Sequence, residues 1–259
     1  MPFLYVFLIA GSGIIFAMAL LWLMSLPLQN ASIADIFWGI SFIIITWLTF
    51  ELTPQGYLPR KILIGALVTI WGLRLAIHLS LRSRNRPEDF RYAGWRAKAG
   101  DQWWWVSFVQ VFLLQGVLVW LISAPVIATQ TSGFPAIITP LDWLGVVVWT
   151  IGVLFEATAD AQLMRFKADP ANNGKLLTQG LWKYTRHPNY FGEALVWWGF
   201  YIIALAAGRW WTIFSPMLMT FLLLRVSGVA MLERTMKNKP GFEEYKKTTS
   251  AFFPRLPKS

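Results

Sequence analysis

Residues 1–26 read MPFLYVFLIAGSGIIFAMALLWLMSL, a run without one charged side chain. About 20 such residues in a helix cross a hydrocarbon core of roughly 30 Å. No basic leading region precedes the run, so it is expected to be a retained transmembrane helix and not a signal peptide. Similar runs recur along the chain, and hydrophobic periodicity places spans at 3–26, 33–51, 62–81, 103–123, 141–159, 190–207 and 210–230. Pro27 with Asn30, the Pro54-Gln55-Gly56 turn, Pro125, Pro135 with Pro140, and Gly208 mark the breaks.

A soluble fold would have to bury all of these runs at once. With 259 residues, 56% of them hydrophobic, and a mean hydropathy of +0.50, the expected class is all-α: a polytopic integral membrane protein, a bundle of seven transmembrane helices. It reads as one membrane domain over residues 1–259.

Charge sets the expected orientation. Arg82, Arg84, Arg86, Arg91, Arg96 and Lys98 follow span three, and Arg165, Lys167, Lys175, Lys183 and Arg186 follow span five. The tail adds Arg234, Lys237, Lys239, Lys246, Lys247, Arg255 and Lys258, against only Arg60, Lys61 and Arg209 at the other ends. The positive-inside rule then makes the basic side cytoplasmic and leaves the N-terminus outside. The net charge of +10 fits anionic headgroups better than nucleic acid in such a chain. Absence of cysteine excludes disulfides, and His78 and His187 have no metal-ligand spacing, so no metal site is expected.

Asp35, Arg74, His78, Glu156, Asp160, Glu193, Arg225 and Glu233 fall inside the expected spans or at their cytoplasmic ends. Facing lipid, each costs about 3 kcal/mol or more, so each needs a partner or a cavity. Arg74, His78 and Arg82 repeat every four residues on one helical stripe, and Glu156 and Asp160 form a second. Structural ion pairs such as Arg225 with Glu193 satisfy the same constraint. A polar cofactor cavity open to the cytoplasm explains why the stripes gather toward the basic face. In KYTRHPNYFGE, residues 183–193, Pro188 suits a first helical turn. The free N–H groups of that turn, with Arg186, favour an anion; a capping segment with incidental charge is the alternative.

RHPNYFGE (186–193) followed by VWWGF (196–200) resembles the C-terminal signature of the membrane-embedded steroid 5α-reductases and their bacterial relatives. ATADAQLMRFKADPANNGKLLTQGLWKYTRHPNYFGE (157–193) fits that family's long cytoplasmic segment, and LERTMKNKPGFEEYKKTTSAFFP (232–254) its closing pattern. RPEDFRYAGWRAKAG (86–100), with VSFVQVFLLQG (106–116), resembles the bacterial branch. The signature with His187 is shared by membrane methyltransferases of the isoprenylcysteine and phospholipid type, which bind S-adenosylmethionine.

The resemblance implies NADPH as cofactor and reduction of a carbon–carbon double bond conjugated to a carbonyl. It assigns cofactor contacts to Asp160, Asn189, Glu193, Lys167, Lys175, Arg225, Arg74, Arg82 and Arg84, and the tail pattern adds Glu233. Glu156 stands where animal members have asparagine. The family's Gln-Glu pair in span two looks like Ala34-Asp35 here, and its tyrosine in span three corresponds approximately to Trp71. In the family that tyrosine and that glutamate polarise the substrate carbonyl. The resemblance also implies a bacterial inner membrane, with residues 1–60 supplying substrate-pocket helices and 61–259 the cofactor-binding helices and loops.

Asp35 is the acid near the start of span two, within ADIFWG (34–39), and burial is expected to keep it protonated as a hydrogen-bond donor; a helix cap near Asn30 and Ser32 is the alternative. Tyr92 or Tyr184 is expected to supply the hydroxyl that Trp71 lacks. The partners expected are a lipid-soluble steroid or terpenoid enone and membrane lipids, with no nucleic acid and no obligate protein. An S-adenosylmethionine-dependent methyltransferase is the runner-up and a transporter or lipid-binding protein the third reading. Three phosphates on NADPH answer the clustered Arg and Lys better than a methyl donor with none.

Overall fold

The computed structural model describes residues 1–84 and 86–257, so Lys258 lies outside the described residues. Among them there is no strand, and a single isolated bridge joins Thr185 and Ser250. Among the described residues six helical stretches are long and apolar enough to cross a membrane: Phe3–Leu28, Ile33–Leu52, Leu58–Ser83, Phe90–Ile122, Pro140–Ala168 and Trp210–Met236. This is the make-up of a polytopic membrane protein. Seven spans were expected. The segment expected at 190–207 is a helix over Pro188–Ala206, but Asn189, Tyr190 and Glu193 leave it short of a full apolar span.

The chain divides into two compact units, Met1–Ile138 with Ala206–Thr212, and Thr139–Leu205 with Ile213–Ser259. The first holds α1 (Phe3–Leu28), α2 (Ile33–Leu52), α3 (Leu58–Ser83), α4 (Phe90–Ala99), α5 (Trp103–Ser107), α6 (Leu114–Ile122) and α7 (Ala124–Gln130). A π-helical segment, Phe108–Leu113, joins α5 to α6. Helices α2 and α3 meet backbone to backbone at two glycines. A Cβ on Gly39 would stand 2.5 Å from the Gly72 carbonyl oxygen, and one on Gly72 2.7 Å from that of Gly39. On the same faces Trp71, fully buried, lies 5.7 Å from the Phe42 ring.

Two cations isolated from the basic loops turn out to be built into this unit. Buried Arg60 donates to the carbonyls of Pro135 at 3.0 Å and Ile137 at 2.6 Å. Lys61 donates to the carbonyls of Phe50 and Thr53, a cation set at the C-terminal end of α2. The break expected at Pro125 is a turn into α7, all of whose residues are buried, with Pro125 in the first turn where no N–H is missed.

The second unit contains α8 (Pro140–Ala168), α9 (Pro188–Ala206), α10 (Phe214–Phe221), a π segment over Leu222–Val226, α11 (Val229–Met236) and α12 (Phe242–Thr248). Thr139 and Asp142 form a capping box that starts α8, with Pro140 in its first turn. Glycines spaced seven apart then set the register between α8 and α9. A Cβ on Gly152 would lie 2.7 Å from the Gly192 oxygen, and one on Gly145 2.9 Å from the Gly199 oxygen. The pairing is antiparallel and carries the next polar residues of α8 to the start of α9.

Candidate functional site

In the first unit the polar residues gather around Asp35. Its carboxylate accepts from Arg91 Nη2 at 2.5 Å, from the Tyr92 hydroxyl at 2.5 Å and from Gln115 Nε2 at 3.3 Å. Gln115 Nε2 also donates to the Tyr92 oxygen at 3.1 Å. Tyr92 and Gln115 are 23 residues apart, which would separate them by about 34 Å along an unbroken helix. Gly100 makes the contact possible: at φ 53, ψ −131 it breaks the helix, and α4 doubles back from α5. Arg96 braces this reversal, its guanidinium carbon 5.1 Å from the Trp103 ring centre.

The turn that leads into α2 is tied from outside. Glu88 accepts from the Ala31 N–H at 2.7 Å and forms two hydrogen bonds with Arg96, while the Asp89 N–H donates to Ser32 Oγ at 2.8 Å. The Ser32 N–H donates to Asn30 Oδ1 at 2.9 Å, so Asp35 does not close a capping box at the start of α2. Burial disfavours a charge on Asp89, but the hydrogen bonds from Arg91 and the charges of Arg91 and Arg82 outweigh it and hold the carboxyl below its usual range. With three donors turned toward it, Asp35 is an acceptor and not the donor expected. The O–H in the cluster belongs to Tyr92, which is 2% exposed.

In the second unit the α8–α9 register brings Asn189 Nδ2 within 3.3 Å of Asp160 Oδ1. Glu156 lies one turn earlier on α8 and is buried, as are Asp160 and His187. Asn189 Oδ1 and His187 Nδ1 are buried without a hydrogen-bond partner among the described residues. The His187 ring stacks on Tyr190, and its Nε2 lies 3.4 Å from Glu233 Oε1.

Arg186 has a different task from the one expected. Its Nε and Nη2 donate to Glu233 at 2.8 and 2.6 Å, and its Nη1 donates to the carbonyls of Lys246 and Thr249. The guanidinium is spent on holding the C-terminal segment. The same lacing includes the Arg186 N–H to Ser250 oxygen, Thr185 Oγ to Phe252 oxygen and Arg255 N–H to Tyr184 oxygen. Tyr245 adds a hydrogen bond to the Trp182 carbonyl, and burial pushes its phenol well up.

The remaining expected residues divide by unit. Arg74, Arg82 and Arg84 belong to the first, Arg74 half-buried and the other two exposed. Lys167, Lys175, Arg225, Glu193 and Tyr184 belong to the second, Glu193 half-buried and the rest exposed. Lys175 lines a surface groove of about 440 Å³ with Asn173, Thr178 and Pro240. Sequence reasoning passed over Arg91, Glu88 and Gln115 as site residues. An amide inside the uncharged, largely apolar stretch 106–116 was the available signal for Gln115.

The family model described as "Protein of unknown function (DUF1295)" matches residues 21–249. An uncharacterized protein of Schizosaccharomyces pombe is 26% identical over 266 residues, covering 91% of this chain and 76% of that protein. A shorter match, 32% identical over 73 residues, is to the probable O-methyltransferase ustE of Ustilaginoidea virens and covers 28% of this chain and 26% of that protein. No solved structure matches. The family match runs from within α1 to the last turn docked on Arg186, and so takes in both polar clusters: the chain belongs to the DUF1295 family of proteins of unknown function.

Proposed function

We propose that this protein is an NADPH-dependent reductase of the C=C bond of a 3-oxo-Δ4 steroid or a similar lipid enone, acting within the membrane. The observation that carries the reading is the 2.5 Å hydrogen bond between Tyr92 and Asp35. A phenol paired with a carboxylate, next to a fixed arginine and at the end of apolar helices, suits a substrate carbonyl on which negative charge builds. The association of the family with steroid 5α-reductase-like membrane proteins supports the same chemistry.

Residues of the second unit fit the cofactor's groups. The unpartnered acceptor of Asn189 and the unpartnered ring nitrogen of His187 match hydroxyl and amide groups, with Asp160 beside them as a further acceptor. The exposed ammonium groups of Lys167 and Lys175 suit phosphate. Arg186 enters this reading only as the clamp of the C-terminal segment. The proposal takes α9 as a seventh span and sets the cofactor-binding groups and basic loops on the cytoplasmic side.

The chemistry that NADPH would supply when bound is a hydride for the β-carbon of the enone. Tyr92 turns its O–H from Asp35 to the substrate oxygen and stabilises the enolate. Arg91 and Gln115 keep the Asp35 carboxylate satisfied while the phenol is engaged. A proton from solvent completes the α-carbon, so that enone, NADPH and one proton give saturated ketone and NADP⁺. Detergent-purified protein should consume NADPH in step with loss of the Δ4 chromophore of such a steroid. Methyl transfer from S-adenosylmethionine, with no NADPH consumption across a panel of lipid enones, would replace this reading with that of the methyltransferases, toward which the ustE match points.

A further inference from the structure

From Trp103 to Ile122 the chain offers three polar side chains, Ser107, Gln110 and Gln115. Ser107 returns its hydroxyl to the Trp104 carbonyl and Gln110 is exposed. Gln115 alone reaches other helices. The π segment Phe108–Leu113 ends two residues before it. A π turn holds one residue more than an α turn, so α6 is rotated by about 100° from its position on an uninterrupted helix. That rotation decides the direction in which Gln115 faces.

The amide can be placed in one way. Asp35 already takes the Tyr92 proton, and a carboxylate oxygen needs donors, so the NH₂ side of Gln115 must face both. Its two contacts, 3.1 Å to Tyr92 and 3.3 Å to Asp35, leave Oε1 buried without a hydrogen-bond partner among the described residues. A side chain kept for packing alone would be apolar, since a buried, unsatisfied acceptor is unfavourable. The residue is explained by what it donates to. A hydrogen bond received at the phenol oxygen also makes its own O–H a stronger donor.

We propose that Gln115 is a positioning residue, holding the Tyr92 hydroxyl so that its proton points at Asp35 and, in turnover, at the substrate carbonyl. The inference rests on the reductase reading for its second half and on geometry alone for its first. Gln115→Met keeps the length and removes both donors. Gln115→Glu keeps the shape and regains a donor only when the new carboxyl takes up a proton.

The test uses the full chain in detergent, with the fluorine resonance of a Tyr92→3-fluorotyrosine substitution as a readout that needs no substrate. Gln115→Met should shift that resonance and, with a 3-oxo-Δ4 steroid, lower kcat about 30-fold with KM within about twofold. Gln115→Glu should be as slow at neutral pH and recover as the pH falls, a return that a packing role does not predict. A shifted resonance in a protein that reduces no enone would sink the reductase reading and leave the hold on Tyr92 standing. An unmoved resonance in monodisperse Gln115→Met protein would overturn the proposal whatever the activity.

Discussion

Tyr92→Phe should lower kcat for enone reduction by at least about 100-fold while NADPH affinity stays within about twofold. The ring is buried and phenylalanine fills the same space, so the loss isolates the hydroxyl. Asp35 keeps two of its three donors, Arg91 and Gln115, and Glu88 keeps its bond to the Ala31 N–H ahead of α2. Asp35→Asn should fall by a similar factor, because the amide no longer anchors Arg91 and the phenol as a carboxylate does. Stopped-flow measurement of a single turnover separates this from slow product release. Full activity in Tyr92→Phe would remove the phenol from the chemistry and return the donor role to Asp35.

Arg186→Met should release the C-terminal segment. The guanidinium is 5% exposed, and its donors all lie on Glu233 and two tail carbonyls. Glu233 is half-buried and keeps His187 beside it, so the loss is smaller than for a fully buried pair, on the order of 1–3 kcal/mol, and comes from the unmade charge-assisted hydrogen bonds. The readout is brief trypsin treatment, with cleavage after Lys246, Lys247 and Arg255 expected to quicken, together with a lower midpoint of thermal unfolding. Lys183→Met, a change at an exposed cation three residues away, serves as the control and should cut at the wild-type rate. Equal cleavage of Arg186→Met and wild-type protein would show that the segment is held without the clamp.

The spans were legible because twenty apolar residues in a row have few alternatives to a membrane. Sequence also marked Asp35, Asp160 and Glu233 as charges in need of partners. It did not pair them, since Asp35 meets Tyr92 across 57 residues and Arg186 meets Glu233 across 47. Arg186 read as a phosphate ligand because the segment that consumes its donors is remote in the chain. The α4–α5 reversal was hidden in a basic stretch that looked like an ordinary loop, with Gly100 the one hint. Helix α7 went unseen because Pro125 is equally at home in a break and in a first helical turn. Neither π segment leaves a mark in composition, yet one of them aims Gln115. The glycines Gly145, Gly152, Gly192 and Gly199 were plain to read, but their pairing is a property of two helices together.

Equilibrium binding of NADPH and S-adenosylmethionine to detergent-purified full-length protein tests the central claim most directly. Saturable NADPH binding is predicted, weakened about tenfold by Asp160→Asn or Asn189→Ala, with no saturation by S-adenosylmethionine. Saturable S-adenosylmethionine binding, lost in the same two variants and accompanied by none for NADPH, would contradict the account.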